Sequence, residues 1–353
     1  MENGINFTQF FTPGYGAVRT FNSEFCLNTG SYLSTQGGYA FDYVTNDYRQ
    51  SLASQLGQLG YTSKVFHYND PSFYSRGVFS PAMGYEEYLC YADFVDTKKD
   101  PRALYDDLLL FTNQEICDIF FRESAPRLNF IITRSAHLSY RYNEVLSHWA
   151  LKKYPQFKGM TGYEEKDCAW VKAKLVDDMF KRLLEELEER NELENTVIVA
   201  MTDHYTYGAG RDGNDAAKNY QMMLESSGVE DALLLERVPC FIWSADGPAE
   251  QVDKTLNTAD LLPTVLNMMG IDSKYSYIGQ DAFDEDYIGY ALFPDGSWVC
   301  DGVAYSDDDK KYILLEEGKT VSEEMKTRLP ELLQEFIRIN NLILETDYYA
   351  SVD

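Results

Sequence analysis

Asp203 and His204 stand side by side at the end of Thr196-Val-Ile-Val-Ala-Met-Thr, an apolar run rich in β-branched residues. Such a run reads as a buried strand, and in open α/β sheets ligands gather beyond the carboxyl ends of strands. Asp supplies a hard anionic oxygen and His a borderline nitrogen, a mixture that suits Mn²⁺ or Zn²⁺ and, less comfortably, Mg²⁺. The competing reading is an Asp that caps the next segment beside an incidental His. Three of the four histidines, His67, His137 and His204, fall at or just past the ends of separate strand-like runs, which places them on one rim. His148 lies in an unpatterned stretch and takes no role. Downstream of His67, Tyr74 and Arg76 share a loop with Pro71 and Phe73. Arg can grip a phosphate through paired N–H groups and Tyr can offer a hydroxyl or a stacking face; otherwise Arg76 is a surface arginine. Thr20 lies where a Gly-containing loop, Pro13-Gly-Tyr-Gly-Ala-Val-Arg19, runs into a probable helix. A hydroxyl at that point either caps the helix or, in the field of its unpaired N–H groups, attacks a phosphate ester.

The elements that must hold these residues follow a βα rhythm, predicting a mostly parallel or mixed sheet with helices on both faces. Tyr48 to Leu59 reads as a helix closed by Gly60, and Ser63 to His67 as the strand after it. A helix from about Asn113 to Glu123 precedes the strand Leu128 to Thr133, which leads to His137. A long helix is expected from about Tyr163 to Arg190, with Trp170, Leu175, Met179, Leu183, Leu184 and Leu187 near helical spacing. Past the Asp203-His204 strand comes a Gly- and Asp-rich loop, Tyr207 to Asn214, placed to act as a flap. Val238 to Ser244 is another buried strand, and Thr258 to Gly270 a helix with Thr258 as its expected cap. The texture then changes: Tyr290 to Leu315 carries hairpin signals at Pro294-Asp-Gly296 and Asp307-Asp-Asp309, and a closing helix runs from about Ser322 to Leu344. The expected division is therefore a catalytic domain over 1–286 and a small α+β subdomain over 287–353.

With 353 residues, 44% hydrophobic, the chain can bury one large α/β domain and an appendage. Its 31 Lys and Arg against 57 Asp and Glu leave a net charge of −26, which argues against nucleic acid as a direct partner. An anionic substrate must then be drawn in locally, by a metal ion and a few cationic side chains. The six cysteines are scattered without a C-x-x-C pair, and Cys117 and Cys240 read as buried free thiols. No apolar run reaches the length of a membrane span, and Met1-Glu-Asn-Gly-Ile-Asn lacks the regions of a signal peptide, so the chain reads as soluble.

Taken together, these segments resemble the lipoteichoic acid synthases and related phosphoglycerol transferases of the alkaline phosphatase and sulfatase superfamily. Thr20-Phe-Asn-Ser-Glu-Phe25 resembles the family's nucleophile segment; Gly60-Tyr-Thr-Ser with His67, Tyr74 and Arg76 resembles its glycerophosphate loop. His137 matches a histidine after a central strand, Asp203-His204 the metal-binding pair, and Asp260-Leu-Leu-Pro-Thr264 a superfamily helix. Tyr74 stands where the family usually carries tryptophan, and Leu-Ser-Tyr follows His137 in place of an aromatic-Pro turn. The resemblance implies an alkaline-phosphatase-like α/β fold and a divalent metal, Mn most of all, with Mg or Zn as alternatives, held by Thr20, Asp203 and His204. It implies that Thr20 is the nucleophile, that His67, Tyr74, Arg76 and His137 bind substrate, and that His137 also assists proton transfer. The donor would be an anionic phospholipid headgroup and the acceptor a glycolipid or polymer, at the extracellular face of a bacterial cytoplasmic membrane in a longer parent protein. The resemblance also implies an acidic ligand on a first strand ahead of the Thr segment. The nineteen residues before Thr20 hold one acid, Glu2, and are expected to contain no such strand. That predicts either a fragment of a membrane protein or a short paralogue with an incomplete metal site. A phosphoethanolamine transferase, a phosphodiesterase and a non-catalytic glycerophosphate-binding protein are the alternatives; a sulfatase is disfavoured because no Cys-x-Pro-x-Arg or Ser-x-Pro-x-Arg segment is present.

Overall fold

β-branched and aromatic runs build one mixed and one parallel sheet in the computed structural model, which describes residues 3–16, 18–33, 35, 40–122, 126–206, 221, 223–225, 227–229 and 231–352. The strands are β1 (Gly4–Phe11), β2 (Thr62–His67), β3 (Glu87–Cys90), β4 (Arg127–Ile131), β5 (Val197–Met201), β6 (Cys240–Ser244) and β7 (Ala249–Asn257). One sheet has the order β5-β6-β1-β7 and the other β3-β2-β4. β1 and β7 are parallel, as are β2 with both its neighbours, whereas β6 runs antiparallel to β5 and β1. The alkaline-phosphatase-like α/β architecture is therefore present, in two pieces, with β4 and β5 as outer strands.

β1 corrects the expectation that the first nineteen residues hold no strand. It pairs on both sides, from Gly4 opposite Ala249 to Phe11 opposite Asn257 along β7 and through Ile5 opposite Ile242 on β6. Its Asn6, Thr8 and Gln9 interrupt any clean alternation, because neighbours cover both faces and Ile5, Phe7, Phe10 and Phe11 are all buried. It carries no acid within its bounds, and Glu2 lies outside the described residues.

The helices are α1 (Arg19–Thr29), α2 (Leu52–Gln58), α3 (Arg76–Ala82), α4 (Leu109–Thr112), α5 (Gln114–Phe120), α6 (Val145–Lys153) and α7 (Glu164–Glu189), then α8 (Leu261–Met268) and α9 (Glu323–Glu345). α7 buries Val171, Leu175, Met179, Leu183 and Leu187, a stripe at helical spacing, and begins with Glu164, Glu165 and Asp167 at the positive end of its dipole. Trp170 was expected in that stripe but is 48% exposed; Val171 takes the inward position, one residue and about 100° further round. Met179 and Leu183 share a core cluster with Phe66, Phe111 and Phe120, against which Ile131 of β4 and Ile198 of β5 both pack. One helix thus spans the two sheets.

Thr258 is not the cap ahead of α8: Asn257 caps the 3-10 turn Thr258–Asp260 that leads into the helix, its side chain and that of Asp260 bonding reciprocally across that turn. The expected hairpins form an antiparallel sheet of β8 (Tyr290–Leu292), β9 (Trp298–Cys300), β10 (Val303–Ser306) and β11 (Lys311–Leu314), order β11-β10-β9-β8. α9 packs on it through Leu329, Leu333 and Phe336, and reaches back to share a cluster with Phe21, Phe25 and Val65 through Leu344. All six cysteines are free and buried. Among the described residues no helix is long and apolar enough to cross a membrane. The expected flap over Tyr207 to Asn214 lies outside the described residues.

Candidate functional site

α1 assembles the site. Thr20, Ser23 and Glu24 fall at spacings that share one helical face. Thr20 Oγ1 lies 3.1 Å from His204 Nε2, and the Ser23 hydroxyl donates to the Asp203 carbonyl at 2.8 Å. Glu24 reaches the other way, accepting from Arg76 Nε at 2.9 Å and Nη2 at 2.6 Å. The first turns of α1 therefore tie the end of β5 to the loop after β2. Thr20 is not the helix cap: the capping position is Val18, which offers no side-chain bond.

His204 Nε2 faces Asp203 Oδ2 as well, at 3.1 Å, while its Nδ1 lies 2.7 Å from the Tyr205 carbonyl. Burial works against the imidazolium, but the hydrogen bond and charge of Asp203, with the Tyr205 carbonyl, outweigh it and hold the His204 pKa above its ordinary value. In a hydroxyl–imidazole–carboxylate relay the acid sits on the nitrogen opposite the hydroxyl. Here hydroxyl and carboxylate converge on one nitrogen, so the three do not form a relay. Donor atoms about 2.1 Å from a common divalent ion stand about 3 Å apart, and that is the spacing found. Thr20, Asp203 and His204 fit part of the shell of one ion. Among the described residues no group of three or more His, Cys, Asp or Glu is arranged to hold a metal, and the set described at this point is two ligands and a hydroxyl.

Around β2, His67 is 3% exposed and its Nδ1 lies 2.7 Å from the Ile132 carbonyl. Burial, then the Arg76 charge and more weakly that of Arg134, push its pKa down to about 3, so the ring is neutral, its Nδ1–H donates to Ile132 and Nε2 is left as an acceptor. Arg76 is 2% exposed, not a surface arginine. Its side-on fork, expected to grip phosphate, is taken by Glu24, which leaves buried Nη1 without a hydrogen-bond partner. Tyr74 adopts φ 55° and presents its ring 5.0 Å from the Arg76 guanidinium, with Phe21 6.1 Å away, so it walls the arginine. His137 follows β4 and is exposed, its Nδ1 2.8 Å from the Leu138 carbonyl, and among the described residues no hydrogen bond joins it to Thr20 or His67.

Four residues were not singled out from sequence. Glu24 and Ser23 lie inside the quoted Thr20 segment, where helical spacing from Thr20 was the usable signal. Glu236, buried beside His204, accepts from Arg19 Nη1 at 2.6 Å and keeps Oε2 unbonded. Arg134, two residues past Ile132, had no sequence signal at all.

A mixed, mostly parallel sheet with a metal-type donor cluster at its strand ends is the layout of the alkaline phosphatase superfamily. A family model described as Sulfatase matches residues 1–271, and the chain belongs to that family. It is 24% identical over 344 residues to lipoteichoic acid synthase 2 of Bacillus subtilis (strain 168), covering 94% of this chain and 49% of that protein. Lipoteichoic acid synthase 1 of the same organism is 29% identical over 291 residues, 79% of this chain and 41% of that protein. The chain thus spans about half the length of these relatives. In structure it is similar to the lipoteichoic acid synthase LtaP from Listeria monocytogenes, with a TM-score of 0.72, 18% identity, and coverage of 97% of this chain and 84% of that one. An alkaline phosphatase superfamily protein from Vibrio parahaemolyticus gives 0.64 at 14% identity, covering 97% and 80%.

Proposed function

We propose that this chain carries out metal-dependent phosphoglycerol transfer, from a phosphatidylglycerol-like lipid to a glycolipid or polyglycerophosphate acceptor, through a phospho-threonine. The observation that carries the reading is the convergence of Thr20 Oγ1 and Asp203 Oδ2 on His204 Nε2. A divalent metal, Mn²⁺ in our reading, would be held by Thr20, Asp203 and His204 and would lower the pKa of the bound hydroxyl and offset phosphoryl charge. Thr20 Oγ1 forms the new bond to phosphorus as the bond to the diacylglycerol oxygen breaks, and that oxygen leaves with a proton. Neutral His67, Nη1 of Arg76 and the Tyr74 wall hold the glycerophosphate, and exposed His137 serves the acceptor side. The free acceptor hydroxyl then displaces Thr20 and restores it.

The remaining ligand is in our reading a carboxylate carried on a strand that pairs with the outer edge of β4 or β5, the two edge strands that share the α7 core cluster. Such a strand would deliver its acid to the rim that Asp203 occupies. A second reading, glycerophosphate binding without turnover, is favoured by the short donor set.

The test is incubation with Mn²⁺ and vesicles of fluorescent phosphatidylglycerol, followed by chromatography of the lipid and mass analysis of the Thr20 peptide. Release of labelled diacylglycerol with glycerophosphate on Thr20, both abolished in Thr20→Ala, is expected. Undiminished release by Thr20→Ala overturns the nucleophile assignment. Binding of glycerol phosphate with no release at any Mn²⁺ concentration selects the second reading.

A further inference from the structure

The Arg134 side chain is held in place, yet two of its nitrogens have no hydrogen-bond partner among the described residues. Its guanidinium carbon lies 5.0 Å from the centre of the Tyr68 ring and 5.7 Å from that of Tyr105. Its backbone N–H donates to Asp107 Oδ2 at 2.7 Å, and the next residue's N–H joins the same oxygen at 2.6 Å, which fixes the turn after β4. Yet Nε and Nη1 are shielded from solvent and reach no acceptor among the described residues. Arginine has only donors and stays charged, so leaving these shielded nitrogens unmet is unfavourable unless an anion comes to them.

The position is specific. Arg134 follows Ile132, whose carbonyl fixes His67, and its charge is felt at His67 alongside that of Arg76. The Tyr68 ring on which the Arg134 guanidinium lies also meets the His67 ring, centroid to centroid at 4.9 Å, so Arg134 stands beside His67. Arg76 has spent its fork on Glu24, so the larger unused set of guanidinium donors on this rim belongs to Arg134. In a chain of net charge −26, a fixed guanidinium with two nitrogens that meet no acceptor among the described residues is a local attractor for an oxyanion.

We infer that Arg134 is a second phosphate-binding arginine, which donates through Nε and Nη1 to the oxyanion of a phosphate ester seated beside His67. This rests on the reading of the rim as a phosphate-ester site and adds the residue that supplies most of its free donors. Two aromatic faces preorganise the guanidinium, so little rotamer freedom is lost on binding.

Calorimetry in EDTA tests this with two probes, sn-glycerol 1-phosphate and inorganic phosphate, on wild type, Arg134→Met and Arg134→Lys. Loss of a charge-assisted pair predicts about 10- to 100-fold weaker binding of both probes to Arg134→Met. Arg134→Lys, which keeps charge but not the planar donors, should lie between. Wild-type affinity of Arg134→Met for both probes overturns the inference, as does failure of both probes to bind the wild type. If phosphate binding depends on Arg134 but glycerol 1-phosphate binds no more tightly than phosphate, the arginine assignment stands and the phosphoglycerol reading fails. If Arg134→Met does not fold, unchanged affinity in Arg134→Lys overturns the inference and a several-fold loss supports it.

Discussion

His67 shows how much a single side chain's surroundings decide. The residue type offers an acid, a base or a metal ligand near neutral pH, but burial and neighbouring guanidinium charge bring its pKa to about 3. The unfolded chain, with a value near 6.5, then binds the proton that the folded state refuses between about pH 6.5 and 3. The folded pKa is lowered, so this contribution to stability is present above pH 6.5 and lost as pH falls. Its slope is at most about 1.4 kcal/mol per pH unit. Histidine NMR should find the His67 ring neutral from pH 5 to 8 with the proton on Nδ1, and His67→Gln should flatten acid unfolding in that window. A His67 titration near 6.5 would refute the placement. At this scale Asp203, His204 and Thr20 were legible because adjacency at a strand end and at a helix start leaves a local pattern. Arg134 and Glu236 were not: what marks them is an unbonded buried atom, and no sequence window contains its partners.

α1 is the element on which the site turns. Its Thr20, Ser23 and Glu24 join two strand ends that belong to different sheets, one through His204 and the Asp203 carbonyl, the other through Arg76. Glu24 and Arg76 are 6% and 2% exposed, so removing the carboxylate strands a charge in the interior. Glu24→Gln is expected to destabilise the protein by about 3–5 kcal/mol in urea unfolding, and Ser23→Ala by about 1 kcal/mol, since only one neutral hydrogen bond is lost. Equal effects of the two would mean that the ion pair does not anchor the helix. The long helix and the late hairpins were readable in advance because helical stripes and Pro-Asp-Gly turns are local. β1 was missed because a strand covered on both faces need not alternate, and its mixture of Asn, Thr, Gln and Phe matches no single period.

Across the whole molecule, a charge of −26 must be reconciled with the anionic substrate we propose. Long-range repulsion is screened by salt, whereas the shielded Arg76 and Arg134 groups are screened far less. Cosedimentation with phosphatidylglycerol vesicles should therefore increase as salt rises from about 10 to 150 mM, where the Debye length shrinks from about 30 to 8 Å. A decrease would point to an exposed basic surface as the contact. Composition, the βα rhythm and the order of the motifs determined the class of fold and the chemical character of Thr20, His67, Asp203 and His204, because those properties are written in residue type and local spacing. Only the folded chain decided that Arg76 is committed to Glu24, that His67 is neutral, that Nε and Nη1 of Arg134 meet no acceptor among the described residues and that β4 and β5 are edge strands of separate sheets. Those outcomes depend on burial and on contacts between residues far apart in the chain, which short-range pattern does not carry.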